Sequence, residues 1–357
     1  MATLEEAKTR LDQIIAKARI HLYKPIQIAE ILYHHRKDSS FSLNRLESYR
    51  TKSKQWRDEI SQKLVGRTST SSARFQDNVF EQNAMTPQLL AQLGAANEKK
   101  QKGIVEAYIY DCISKRFETV NDIIKYIAHA TTDSFNLSEL IDKFITEPGL
   151  KRSIDKCYEI VAYALFDVII SHLGTKITLE TAPSKRALLQ EFEDFAILVL
   201  GLSLEMPKIV IPARIFRAGV TNAADRGIDI WSNFGPVIQI KHVALDQENF
   251  SNITDQVADN AEIIIVCKSA EEQAIKNVLR QTGLSRKIKG IVNQDNLGEW
   301  YERCISDKYA RTLGQEILRV LKSEFLQEFP SAGPKLFSFL KERGYDRVRL
   351  NDFWSVD

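Results

Sequence analysis

Four consecutive aliphatic residues, Ile263-Ile264-Ile265-Val266, constrain the fold of the second half of this chain more than any other stretch. Side chains alternate between the two faces of a strand, so an unbroken apolar run predicts a strand covered on both sides. Helices must supply that cover. Apolar spacing predicts helices at 185–202, 249–260, 270–282, 297–305 and 310–325, and strands at 208–216, 261–268 and 287–292. Elements alternating in this order predict an α/β/α layer around a mixed central sheet.

Residues 225–241 fall in the middle of that order and carry the chemistry. Two short apolar strands flank Asn233-Phe234-Gly235-Pro236, a turn signal, which predicts a hairpin. By strand alternation Val237, Gln239 and Lys241 share one face, and Ile238 and Ile240 share the other. Pairing of the two strands would bring Asp229 beside Gln239. A carboxylate and an amide oxygen are hard ligands suited to Mg²⁺, which takes few carboxylates and keeps several waters. With Lys241 adjacent, the set suits phosphodiester hydrolysis, in which a metal polarises the phosphate and a lysine positions water or stabilises developing charge. The competing reading of these residues is a solvated hairpin face with one charged pair.

The first half reads differently. Helices are expected at 3–22, from Pro25 onward, at 43–64, and in a series over 87–93, 104–114, 120–130, 137–145 and 156–173, the last ended by Gly174. Residues 1–75 hold 15 Lys+Arg against 8 Asp+Glu, whereas the whole chain is only +2, so an anionic partner is expected on that side. The stretch Gly66-Arg67-Thr68-Ser69-Thr70-Ser71-Ser72-Ala73-Arg74 is a loop dense in hydroxyl donors between arginines. Arg67, Thr68, Ser69, Ser71 and Arg74 are therefore candidate DNA contacts, together with Arg214 and Arg217, although a plain Ser/Thr linker has the same composition. The adjacent His34 and His35 point about 100° apart on a helix and make a poor metal pair.

Other chemistries find no support. The four cysteines are widely spaced with no Cys-x-x-Cys pair, which argues against zinc and for free thiols in a reducing cytoplasm. The start, Met-Ala-Thr-Leu-Glu-Glu, lacks the basic and apolar blocks of a signal peptide, and the most apolar stretch, 160–173, is too short to span a bilayer. A cytoplasmic, non-membrane protein of a prokaryotic cell is expected. There is no Walker-type Gly-x-x-x-x-Gly-Lys-Ser/Thr run, so no nucleotide cofactor is expected, and neither His-Glu-x-x-His nor Gly-x-Ser-x-Gly occurs.

The helix 185–202, the strand and the hairpin together resemble the PD-(D/E)xK nuclease core over about residues 185–295. Asp225-x-Gly227-Ile228-Asp229 followed by Gln239-x-Lys241 is similar to the strand motif of its Mrr-like branch, which has Gln where most of the superfamily has Glu or Asp. Phe192-Glu193 within Gln190-Glu191-Phe192-Glu193-Asp194-Phe195 is similar to that branch's helix motif. The resemblance implies Asp229 and Gln239 as metal ligands, Lys241 as the catalytic lysine and Glu193 as the helix acid, with Glu191 and Asp194 as rivals for the last role. The missing charge at Gln239 favours one Mg²⁺ over two. Asp225 is better suited to a turn or an arginine contact than to a metal, and Gly227 to backbone freedom at the strand entry.

Two N-terminal stretches, Lys17-Ala-Arg-Ile-His-Leu-Tyr-Lys-Pro-Ile-Gln-Ile-Ala-Glu-Ile-Leu-Tyr and Gly66-Arg-Thr-Ser-Thr-Ser-Ser-Ala-Arg-Phe-Gln-Asp, resemble the HaeII-type restriction endonucleases. That likeness implies a type II enzyme cutting double-stranded DNA at a GC-rich palindrome such as RGCGCY, as a homodimer with Mg²⁺. The expected fold class is α+β or α/β: a helical, basic N-terminal domain at 1–180 for DNA recognition and dimerisation, an α/β/α restriction-endonuclease-like core at 181–328, and a C-terminal helix and tail at 329–357. A modification-dependent or structure-specific nuclease with the same core, and an inactive DNA-binding protein, are the alternatives.

Overall fold

A computed structural model describes residues 2–18, 22–38, 40–69, 78–80, 84–99, 102–147, 150–218, 228–245, 262–270, 288–329 and 333–355. The expected helices at 249–260 and 270–282, and the residues Asp225 and Gly227, lie outside the described residues.

The N-terminal half is helical, as its 3.6-residue apolar spacing requires. Helix α1 (Leu4–Lys17) starts in a capping box, with Thr3 and Glu6 each satisfying the other's main-chain N–H. It is followed by α2 (Tyr23–Lys37), α3 (Arg50–Val65), α4 (Pro87–Glu98), α5 (Ile104–His129), α6 (Leu137–Thr146) and α7 (Ile154–Leu173). Helix α5 replaces two expected helices. No Gly or Pro interrupts it, and at mid-length Arg116 donates to the Ile15 and Ala18 carbonyls at the end of α1, so the segment stays helical.

Beyond α7 the chain makes a two-stranded antiparallel ribbon, β1 (Lys176–Glu180) with β2 (Lys208–Pro212), carrying short turns and helix α8 (Arg186–Glu191) between its strands. The five-stranded sheet follows in the order β3 (Ile215–Arg217), β4 (Ile230–Ser232), β5 (Val237–Leu245), β6 (Ile263–Ala270), β7 (Ile288–Val292). Its first three strands pair antiparallel and its last three parallel, so the sheet is mixed, as expected. The single strand expected at 208–216 is two strands in two sheets, divided at Ala213 and Arg214. Pro212 has no N–H for a ladder, and the chain leaves the ribbon there. Helices α9 (Gln294–Ile305), α10 (Gln315–Glu328) and α11 (Gly333–Arg343) complete the chain.

Burial shows why Ile263–Val266 has no polar residue. Ile263, Ile265 and Val266 are fully buried. Ile238, Ile240 and Val266 share a core with Ile160, Val161 and Leu165 of α7, and with α9 and α10. A second core joins α1 to α4, the first half of α5, and the C-terminal Leu336, Phe339, Tyr345 and Trp354. Helix α5 runs through both, contributing Ile113 and Phe117 to one and Val120 and Ile123 to the other. The two hydrophobic cores therefore adjoin along α5. The tail returns to the N-terminal core, where Tyr345 donates to buried Glu106 at 2.7 Å, and at the end of α11 Arg343 donates to buried Glu30 at 3.0 Å.

Candidate active site

The hairpin is built by its turn. Gly235 takes φ 118°, a conformation that favours glycine, and Ser232 Oγ donates to the Pro236 carbonyl at 2.6 Å across the loop. Asn233 ties the turn to β3 by accepting from the Arg214 N–H at 2.8 Å. Ile230 then pairs with Ile238 and Trp231 with Val237. Continued by one residue, that register sets Asp229 opposite Gln239. Its N–H donates to the Ile238 carbonyl at 3.2 Å, and its Oδ2 accepts from the Ile240 N–H at 2.7 Å. Gln239 is fully buried and Lys241 half-buried, in parallel register with Ile265 and Cys267 of β6. The structure thus brings Asp229, Gln239 and Lys241 together.

The charges around Asp229 come from the strand and from α7. Burial raises the Asp229 pKa above the ordinary carboxylate value, the Ile240 N–H and the ammonium groups of Lys156 and Lys241 pull it down, and Asp155 adds to the rise. Lys156 and Asp155 stand in the first turn of α7, and Glu159 lies one turn further on. Glu159 is buried, contacts Lys156, and accepts from Arg217 Nη1 at 2.9 Å. Burial pushes the Glu159 carboxyl upward, Lys156 and Arg217 oppose this, and the nearby Asp229 carboxylate adds to it. Two carboxylates of α7 therefore share the electrostatic field of Asp229, namely Asp155 and the buried Glu159.

Glu193 is placed elsewhere. The expected helix 185–202 is broken into α8, a single turn at Glu193–Phe195 and a π turn at Ala196–Leu200, all on the ribbon excursion. There Glu193 is half-buried and accepts from the Leu204 N–H at 2.8 Å, which closes a local loop. Its rivals Glu191 and Asp194 are exposed on the same excursion. Periodicity alone made this segment look like a core helix, whereas its apolar stripe faces no core. A sequence signal for Glu159 did exist: Cys157-Tyr158-Glu159-Ile160-Val161 places one carboxylate inside an otherwise apolar helix, with Lys156 three residues before it.

The candidate DNA contacts separate as well. Arg217 is 7% exposed and bound to three carboxylates: Glu159, Glu324 at 2.8 Å and Glu328 at 3.1 Å. Burial lowers its pKa and the three acids more than reverse this, leaving it raised. A guanidinium so engaged braces α7 and α10 against β3 and is not presented to a phosphate, which corrects the expectation from sequence. Arg67 is half-buried and donates to the Gln327 carbonyl, tying the Gly66 loop to the end of α10. Thr68 accepts from the Tyr23 hydroxyl through its carbonyl, at 3.1 Å. Ser69 is half-buried and Arg214 exposed, while Ser71 and Arg74 lie outside the described residues.

Among the described residues no three His, Cys, Asp or Glu side chains gather into a metal site. The donor set at the hairpin is instead one half-buried carboxylate and one buried amide near the carboxylates of α7, which fits a hard divalent ion that keeps most of its waters. Glu159 is already engaged by Lys156 and Arg217.

Comparison with known proteins decides the family. The HaeII restriction endonuclease family matches residues 7–345. The chain belongs to the HaeII restriction endonuclease family. Within it, the type II restriction enzyme NgoBI of Neisseria gonorrhoeae is 46% identical over 351 residues, covering 96% of this chain and 98% of that protein. The type II restriction enzyme HaeII of Haemophilus aegyptius is 45% identical over 349 residues, covering 98% and 99%. No solved structure matches the chain. The HaeII-family match spans both hydrophobic cores apart from the tail residues after 345, so the helical half and the sheet are parts of one family unit. No helix among the described residues is long and apolar enough to cross a membrane.

Proposed function

We propose that the chain hydrolyses phosphodiester bonds of duplex DNA in the pocket formed by Asp229, Gln239 and Lys241, with one Mg²⁺ held by Asp229 and Gln239. Membership of the HaeII family makes it a type II restriction enzyme, a site-specific deoxyribonuclease. The observation that carries the site is the hairpin register, which sets a half-buried carboxylate against a buried amide, with a lysine two residues along the same strand face.

The bound metal supplies polarisation of the scissile phosphate and a water of lowered pKa. The protein's own groups do the rest. The Ile240 N–H fixes one oxygen of Asp229, so the carboxylate meets its ligand without first having to be ordered. Lys241 holds a positive charge beside that carboxylate and stabilises the negative charge that grows on phosphorus. We assign the helix-acid role to Glu159 in place of Glu193. Gripped by Lys156 of its own helix and by Arg217, it holds α7 against β3. The sheet with α7 reads as a PD-(D/E)xK core.

Recognition is proposed at a GC-rich palindrome such as RGCGCY, with Arg214 and the Gly66 loop among the groups that meet DNA. Cutting both strands of a palindrome calls for two equivalent sites, hence a homodimer. Plasmid incubated with the protein and Mg²⁺ is expected to give discrete fragments, and none when EDTA removes the metal. A smear, or no cutting at any Mg²⁺ concentration, contradicts the proposal.

The choice of helix acid has its own test. Glu159→Gln is expected to slow cleavage by at least about tenfold, as a buried charge that positions the site is lost, while Glu193→Gln leaves the rate within about twofold. Single-turnover cleavage rates of the two variants check this, and the reverse ranking restores Glu193.

A further inference from the structure

Residues 174–212 form an arm that belongs to neither hydrophobic core. Ribbon strands β1 and β2 are mostly exposed along their length, and the only buried apolar side chains between them are Leu189, Ala196 and Leu202. A lone two-stranded ribbon is at best marginally stable in water. This one also displays large apolar side chains: Leu188 is 56% exposed, Phe192 and Phe195 54% each, Leu198 85%, Val199 63% and Val210 52%. The stretch from Phe195 to Leu200 has no polar residue at all. Monomeric proteins rarely leave so many large apolar side chains of one short segment uncovered.

Size and charge identify the cover. The exposed apolar side chains of the arm amount to on the order of 1,000 Å², comparable to the roughly 800 Å² that each partner contributes to a stable interface. Composition argues against DNA, because the arm carries five acidic side chains, Glu180, Glu191, Glu193, Asp194 and Glu205, against four basic ones. A closed two-fold contact uses the same patch on both partners, so one self-complementary apolar surface suffices. We infer that the arm is the dimerisation element, in which the Phe195–Leu200 segment packs against a second copy of this chain. The choice of a second copy as occupant rests on the reading that both DNA strands are cut. The arm also leaves the body between α7, which bears Glu159, and β3, which bears Arg217, so association is joined to the two elements that brace the site.

Sedimentation velocity on the full chain, without DNA or metal, tests this independently of cleavage. Wild-type protein is expected at twice the chain mass at micromolar concentration. The double substitution L198D/V199D is expected to raise the dissociation constant at least a hundredfold with an unchanged circular dichroism spectrum. Phe337→Asp, at a side chain 68% exposed on α11, serves as the control and leaves association unchanged. A wild-type protein that stays single at all concentrations, or a double variant that associates as wild type, overturns the inference. Should the double variant misfold, Leu198→Cys in a Cys112→Ser background provides a milder probe, since Cys112 is half-buried whereas Cys157, Cys267 and Cys304 are buried. A bis-maleimide is expected to join two Leu198→Cys chains. Absence of cross-linked product, or protection of that thiol by duplex DNA when the protein is a single chain, also overturns it.

Discussion

Lys241→Ala is expected to bind its DNA target and cut it at least about a hundredfold more slowly, and Asp229→Ala to fall as far or further. Both changes remove a charge carried by the hairpin itself. The Asp229 carboxylate is held by the Ile240 N–H and opposes Gln239, so its loss takes away the one ionised ligand of the proposed metal pair. Lys241 is the cation on the strand itself, whereas Lys156 of α7 is engaged by Glu159. Removing Asp229 also leaves Lys241 with one acidic neighbour fewer, which strengthens attraction to phosphate, so tight binding with lost cutting is the expected signature. Gel-shift affinity measured beside single-turnover cleavage separates the two effects. Cutting that survives both substitutions would place the chemistry outside the hairpin.

The second large effect concerns stability. Arg217→Met is expected to destabilise the protein by about 3–5 kcal/mol, because it leaves buried carboxylates without their common cation. Glu159 and Glu328 are each 3% exposed and Glu324 16%, so water reaches them poorly. Arg217→Lys should fall between, since an ammonium keeps the charge but cannot present the guanidinium fork to three partners. Urea denaturation midpoints measure the difference. An arginine that merely touched DNA would behave otherwise: its loss would leave stability within about 0.5 kcal/mol and weaken binding. That result would return Arg217 to the DNA surface.

Much of the hairpin could be read in the sequence because it obeys local rules. A two-residue period and an Asn-Phe-Gly-Pro turn fix which side chains share a face, and Ile238 and Ile240 do enter the core while Gln239 lies on the opposite face. The apolar run at 263–266 announced its burial for the same reason. Non-local facts were the ones missed. Helical periodicity at 185–202 records an apolar stripe but not what the stripe packs against, and in this fold it packs against neither core. The same limit hid Glu159, whose helix reads as buried while nothing in its own residues points to the hairpin 70 residues away. Charge counting likewise could not distinguish Arg214, exposed beside the turn, from Arg217, three residues on and locked among acids. The continuous helix α5 depended on Arg116 meeting the end of α1, a contact between residues about a hundred positions apart.

The most direct test of the central claim is to locate the metal. Crystals of the wild-type protein with a cognate duplex, soaked in Mn²⁺ and measured at its absorption edge, are predicted to show an anomalous peak within ligand distance of the Asp229 carboxylate and the Gln239 amide oxygen. That peak should vanish in Asp229→Ala. A peak beside Glu193, or one beside Asp229 that persists in the variant, would contradict the assignment of the hairpin as the cleavage site.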